Sequence, residues 1–171
     1  GPNTGIYRIL RILKEENIRA TFLTCGAIAE RYPEAVKAIV AGGHEVAGHG
    51  YHHEVARDLS REDETVVMQR TSAMILDRAG NPPRGWRSCT QSPNSIELLM
   101  EQGFDWNSND FSRDLPFLWE KDGKTLVELP RQPFGDGRTY FADHGNADAT
   151  LVVWKGMFDE LHAESADQPG Y

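Results

Sequence analysis

Four of the chain's six histidines fall in one stretch, His44-Glu-Val-Ala-Gly-His49-Gly-Tyr-His52-His53, and His49 and His53 stand four residues apart. Imidazole nitrogens ligate metals. On a helical turn, side chains at that spacing lie roughly 5–6 Å apart at Cβ, within reach of a shared zinc at about 2.0–2.1 Å per nitrogen. An isolated pair is equally well explained by one packed ring and one solvated ring. Gly48 and Gly50 flank His49, however, and glycine allows unusual dihedrals and a close approach of a ligand to the main chain. That density favours a metal held by His49 and His53. A catalytic zinc normally takes three protein ligands and keeps one position open, so a further ligand, a carboxylate by expectation, has to come from elsewhere.

These residues need elements to position them, and the chain alternates amphipathic helices with short apolar runs, the pattern of βα units around a parallel sheet. Ile6, Ile9, Leu10 and Leu13 recur at helical spacing from Thr4 to about Asn17, and Ala20-Thr-Phe-Leu-Thr24 reads as a buried strand. Pro33 opens a second helix that Gly42-Gly43 stops. His44-Glu-Val-Ala47 is then a strand that delivers His49 to its carboxyl end, the side on which parallel α/β folds place their binding crevices. Ser60-Arg-Glu-Asp63 resembles a capping box opening a long helix to about Ala79. Gly85-Trp-Arg-Ser88 is a short strand, and Ser92-Pro-Asn-Ser caps a helix that ends at Gly103. Phe104-Asp-Trp106 and Thr125-Leu-Val-Glu-Leu129 read as two more strands, and a last helix covers about Ala149 to Glu164.

The bulk properties bound the molecule. A chain of 171 residues, 39% hydrophobic, fits one domain, here residues 1–171. A formal charge of −8 argues against nucleic acid or an anionic membrane as the main partner. No apolar run approaches the roughly 20 residues of a membrane span. Cys25 and Cys89 are too few for a disulfide framework, and neither lies in a C-x-x-C pair. A second copy of the chain stays open as a partner, and the compartment is undecided.

Taken together, Ala20-Thr-Phe-Leu, Arg31-Tyr-Pro-Glu and Gly43-His-Glu-Val-Ala-Gly-His-Gly-Tyr-His-His-Glu54 resemble the polysaccharide deacetylase family, also called the NodB-homology or carbohydrate esterase family 4. Pro83-Arg-Gly-Trp-Arg-Ser88, Ser92-Pro-Asn-Ser-Ile-Glu-Leu-Leu and Gly103-Phe-Asp-Trp-Asn-Ser108 extend the resemblance in the same order. It is similar above all to the branch with peptidoglycan deacetylase-like proteins and metal-independent allantoinases. The resemblance implies a distorted (β/α) barrel and hydrolysis of an acetamide or similar non-peptide C–N bond in a carbohydrate or small amide substrate. It implies a divalent metal, zinc first, on His49 and His53, which match two family ligands. Arg87 matches the arginine that orients a catalytic aspartate by charge-assisted hydrogen bonding. Asp110 corresponds to the later acidic motif that tunes a catalytic histidine, although a loop-capping aspartate explains it as well.

Thr90 falls where an oxyanion-stabilising backbone amide is expected, after Cys89 in place of the usual proline. Asp114, Asp136 and Phe141 fall in loops where relatives place substrate contacts. His144 is expected in a solvated turn, His162 on a polar helix face, and His44 and His52 pointing away from the metal. A cysteine nucleophile at Cys89 has no supporting motif. The Thr-Phe-Asp-Asp segment that supplies both aspartates in relatives would fall immediately before Gly1, and the motif with the acid histidine after the last helix. Both ends of the barrel are therefore expected to be cut off, and a molecule of this extent to be a poor catalyst. Three readings stay open: a metal-dependent deacetylase, a metal-free allantoinase-like hydrolase of cyclic amides, and a non-catalytic carbohydrate-binding relative.

Overall fold

In the computed structural model the described residues are 1, 3–131, 135–142 and 145–166, without the side chains of Asp136 and Ala142. They fall into two compact units, one of Gly1–Asn109 with Leu118–Glu128 and one of Asp110–Phe117 with the residues after Glu128.

The first unit is built on βα repeats. Helix α1 (Gly5–Glu15) leads to strand β1 (Thr21–Thr24), then α2 (Gly26–Arg31), α3 (Pro33–Ala41) and β2 (Glu45–Gly48). Helix α4 (Arg61–Ala79), β3 (Gly85–Trp86), α5 (Ser95–Glu101) and β4 (Trp106–Asn107) follow, and then β5 (Phe117–Lys121) and β6 (Lys124–Glu128). The sheet order is β1-β2-β3-β4-β6-β5. Parallel pairing joins β1 to β2, β2 to β3, β3 to β4 and β4 to β6, for example Leu23 opposite Ala47 and Trp86 opposite Asn107. The Asp122-Gly123 turn between β5 and β6 has positive φ at both residues, 52° and 75°, as a two-residue hairpin turn requires.

The α/β class and the parallel strands hold as expected. Among the described residues, however, the sheet is open, with β1 and β5 at its edges, and is not a closed barrel. Helices bury their apolar stripes against it. Ala29, Val36, Ile39, Val46 and Ile75 form one core cluster, against which Ile6 and Leu10 of α1 pack. Met68, Trp86, Leu98, Leu99, Phe104 and Leu126 form a second. Helix α4 serves both, with Met68 in one and Ile75 in the other.

The second unit holds α6 (Asp136–Ala142) and α7 (Ala147–Glu164). Asn146 caps α7 by accepting from Ala149 N at 3.1 Å. Within the same unit Arg131 donates its backbone N–H to Asp110 O at 2.7 Å, and its guanidinium lies 4.8 Å from the Phe111 ring centroid. No helix among the described residues is long and apolar enough to cross a membrane.

Candidate active site

The loop that follows β2 is tied down at nearly every residue. Gly26 N donates to Gly50 O at 3.0 Å, Ala27 N to Tyr51 O at 2.9 Å, and His49 N to Thr24 O at 3.2 Å. The Tyr51 ring is 2% exposed and packs so closely on Gly26 that a Cβ there would lie 2.4 Å from the ring. Glu54 closes the loop from the other end. Its carboxylate accepts from Tyr51 N at 2.8 Å and His52 N at 2.9 Å.

His49 and His53 are not on a helical turn. They flank an irregular segment in which Gly50 has φ 77° and His53 itself has φ 67°. The left-handed region costs a non-glycine residue roughly 1–2 kcal/mol, and such outliers gather at functional sites. That conformation folds the chain back, so the two imidazole centroids lie 4.7 Å apart with planes at 69°. The two rings are therefore neighbours, brought together by an irregular loop and not by the helical turn expected from their spacing. His49 is half-buried and His53 exposed.

The tautomer of His49 follows from its partner. Its Nδ1 is hydrogen-bonded to the carbonyl oxygen of Arg87, and a carbonyl can only accept, so Nδ1 carries the proton. In the neutral ring the lone pair then sits on Nε2, the nitrogen that a metal would take. An imidazole held this way by a backbone carbonyl is the usual arrangement for a metal-ligating histidine.

Two histidines do not complete a site. Among the described residues no group of three His, Cys, Asp or Glu is placed to hold an ion. The chain's chemistry thus fits two of the three protein ligands that a catalytic zinc takes. The other histidines behave as expected where they are described. His44 is buried and accepts from Ala20 N at 3.3 Å. His52 is exposed with its ring 4.9 Å from that of Tyr51, and His162 is exposed on α7. His144 lies outside the described residues.

Arg87 follows β3 directly, and its main chain joins the site on both sides, its N–H to Gly48 O at 3.0 Å and its carbonyl to His49. Thr90 accepts from Arg57 N at 3.2 Å through its hydroxyl. The Asp110 carboxylate caps a turn in the second unit, accepting from Ser112 N at 2.7 Å and Ser112 Oγ at 2.6 Å, which is the loop-capping role. Asp114 is in an exposed loop as expected. Asp136 and Phe141 are not in a loop: both belong to α6. The Gly-Asp-Gly sequence reads as a turn, but Arg138 N and Thr139 N both donate to Gly135 O at 3.0 Å and close a helical turn there. Phe141 is 74% exposed on it.

Sequence reasoning misses the carboxylates that organise this region. Glu54 was visible only as the end of the histidine motif. Glu128, fully buried on β6, accepts from Asn107 Nδ2 and Asn109 N at 2.8 Å and from Trp119 Nε1 at 3.1 Å. No sequence pattern marks it. Cys25 and Cys89 are both free thiols. Cys25 donates to His49 O at 3.3 Å. Burial, then the nearby Glu54 carboxylate, pushes its thiol above the usual range, which disfavours the thiolate a nucleophile needs.

The polysaccharide deacetylase family model matches residues 1–99. The chain belongs to the polysaccharide deacetylase family. It is 34% identical over 114 residues to a peptidoglycan deacetylase of Helicobacter pylori, a match covering 63% of this chain and 39% of that protein. Among solved structures, a probable polysaccharide deacetylase of Pseudomonas aeruginosa superposes with TM-score 0.86 at 28% identity, over 95% of this chain and 56% of that one. The Puue allantoinase superposes with TM-score 0.85 at 28% identity, over 95% and 55%. The chain is thus similar in structure to members of both branches the motif suggested, and it corresponds to little more than half of either structure.

Proposed function

We propose that this protein removes acetyl groups from an N-acetylated polysaccharide, hydrolysing a non-peptide C–N bond. The reading is carried by the convergence of His49 and His53 beyond the carboxyl end of β2. It is supported by membership of the polysaccharide deacetylase family and by similarity to a peptidoglycan deacetylase. Nothing in a fold alone selects the chemistry; the paired imidazoles do. Zinc is the first candidate among the divalent metals that imidazole suits, and when bound by His49 and His53 it would supply Lewis-acid polarisation and a water of lowered pKa.

The chain's own residues have definite tasks. Arg87 presents its carbonyl to Nδ1–H of His49 and so leaves the lone pair on Nε2. Glu54 gathers the N–H groups of Tyr51 and His52 and so closes the loop that carries His53. The Arg87 guanidinium would orient an aspartate base by charge-assisted hydrogen bonds. Thr90 would contact the sugar chain; in the second unit Asp114 is exposed and Phe141 carries an exposed ring suited to stacking on a pyranose face.

A second reading, hydrolysis of a cyclic amide without metal, draws on the TM-score of 0.85 to the Puue allantoinase. One experiment separates them. The full-length protein, freed of metal and reloaded with zinc, is assayed for acetate release from N-acetylglucosamine oligomers and for opening of a ureide ring. Acetate release that requires metal and is lost in His49→Ala and His53→Ala is the expected result. Metal-independent ring opening with no acetate would establish the second reading and end the first.

A further inference from the structure

The peptide group that joins Arg87 to Ser88 is gripped on both of its polar sides. Its carbonyl accepts the Nδ1–H of His49, and its N–H donates to Asn109 Oδ1 at 2.8 Å. Asn109 makes a second bond on the same residue, its Nδ2 donating to Ser88 O at 2.9 Å. The amide orientation is therefore fixed, because only the oxygen can face an N–H and only the NH₂ group a carbonyl. Asn109 and Ser88 are 7% and 6% exposed. Behind them the buried Glu128 carboxylate holds Asn109 by its backbone N–H. The side chain of Asn109 thus continues the β3–β4 pairing after the strands themselves have ended at Trp86 and Asn107.

We propose that Asn109 is a positioning residue for His49. Given the reading that His49 ligates a metal, Asn109 is what sets the plane of the Arg87–Ser88 peptide and, through its carbonyl, the orientation and tautomer of the imidazole. Two physical effects act together. The two bonds hold the peptide groups on either side of Ser88, and so restrain the rotation of the Arg87–Ser88 peptide. Donation of its N–H into Asn109 also polarises the peptide, and a polarised peptide has a stronger acceptor carbonyl. Outer groups of this kind commonly change metal affinity by roughly 10–100-fold when removed. Ser88 participates chiefly through its backbone; its hydroxyl also donates to Asn109 Oδ1, at 3.3 Å a longer bond than the 2.8 Å from its backbone N–H.

The test reads the ring directly. In the metal-free protein, nitrogen-15 NMR of the imidazoles is expected to show His49 as a single Nδ1–H tautomer. In Asn109→Ala the two tautomers mix, and zinc affinity by calorimetry falls about 10–100-fold. Asn109→Asp keeps the shape but sets a carboxylate oxygen against Ser88 O, and both readouts move in the same direction. Ser88→Ala, which loses only the longer hydroxyl bond and keeps both backbone bonds to Asn109, shifts both readouts far less than Asn109→Ala. Ile75→Val, a core change in the other cluster, lowers stability without altering the tautomer. A parental tautomer and parental zinc affinity in folded Asn109→Ala or Asn109→Asp overturns the proposal. A parent that binds no zinc, while Asn109→Ala still mixes the tautomers, overturns the metal reading and upholds the positioning role.

Discussion

Tyr51 and Gly48 show how single residues shape the histidine loop. The Tyr51 hydroxyl donates to Glu30 at 2.7 Å and its ring lies 3.6 Å from the Arg70 guanidinium carbon. The bond to Glu30, with burial adding to it, raises the phenol above its ordinary value. A raised pKa means that the contribution is complete below the unfolded value of about 10 and is lost as pH climbs through the folded one, because unfolding then releases a proton. Tyr51→Phe is therefore expected to melt with a shallower alkaline decline than the parent, and superimposable declines in thermal scans above pH 9 would refute the coupling. At Gly48 a Cβ would lie 2.2 Å from the buried Trp86 ring. Gly48→Ala should cost about 1–3 kcal/mol by overpacking, measurable by urea denaturation, with loss of zinc binding because His49 is the next residue. The glycines beside His49 are conspicuous in the sequence, yet their reasons are readable only in three dimensions: Gly50 serves a positive φ, while Gly48 makes room for an indole 38 residues away in the chain.

At the scale of elements, α4 is the frame on which the loop region rests. Its start is legible in the sequence: Ser60 accepts from Asp63 N at 3.1 Å and returns its hydroxyl to the Asp63 carboxylate. Its partner is less so. Ser92 and Ser95, which read as caps of α5, are buried and donate their hydroxyls to Glu64 at 2.5 Å, tying α5 to α4 around a carboxylate that is 2% exposed. A period of 3.6 residues reveals which face is apolar but not which polar residue on it will meet a partner from 31 residues downstream. Ser95→Ala removes a hydrogen bond to a buried carboxylate and leaves that oxygen unsatisfied, a loss of about 1.5–3 kcal/mol. A urea midpoint equal to the parent's would show that the Glu64 oxygen is satisfied without Ser95. Elements with long periodic stretches, α1, α3, α4 and α7, lie within a few residues of where the pattern puts them. The short α2 and α6 and the strand β5 escaped it, because five to seven residues carry too little periodicity and the Gly-Asp-Gly at the start of α6 imitates a turn.

For the whole molecule, the sequence conveys the α/β class and the order of strands, but not the open sheet or the division into two compact units, which depend on contacts far apart in the chain. That division makes metal binding measurable as a property of the fold. Both proposed ligands lie in the first unit, with Asn109 and Glu128 behind them. A ligand that binds only the folded state stabilises it by mass action, about 2.7 kcal/mol at a hundredfold excess over the dissociation constant. For a chain of this size that is a rise of roughly 5–10 °C in melting temperature. Calorimetry with zinc should place the whole rise in the transition of the first unit, and His49→Ala and His53→Ala should each abolish it. Magnesium, which prefers octahedral oxygen ligands, should give no rise at equal concentration. An equal shift with zinc in both single variants would mean that the ion is held elsewhere, and the two imidazoles would then have to be assigned to loop structure alone.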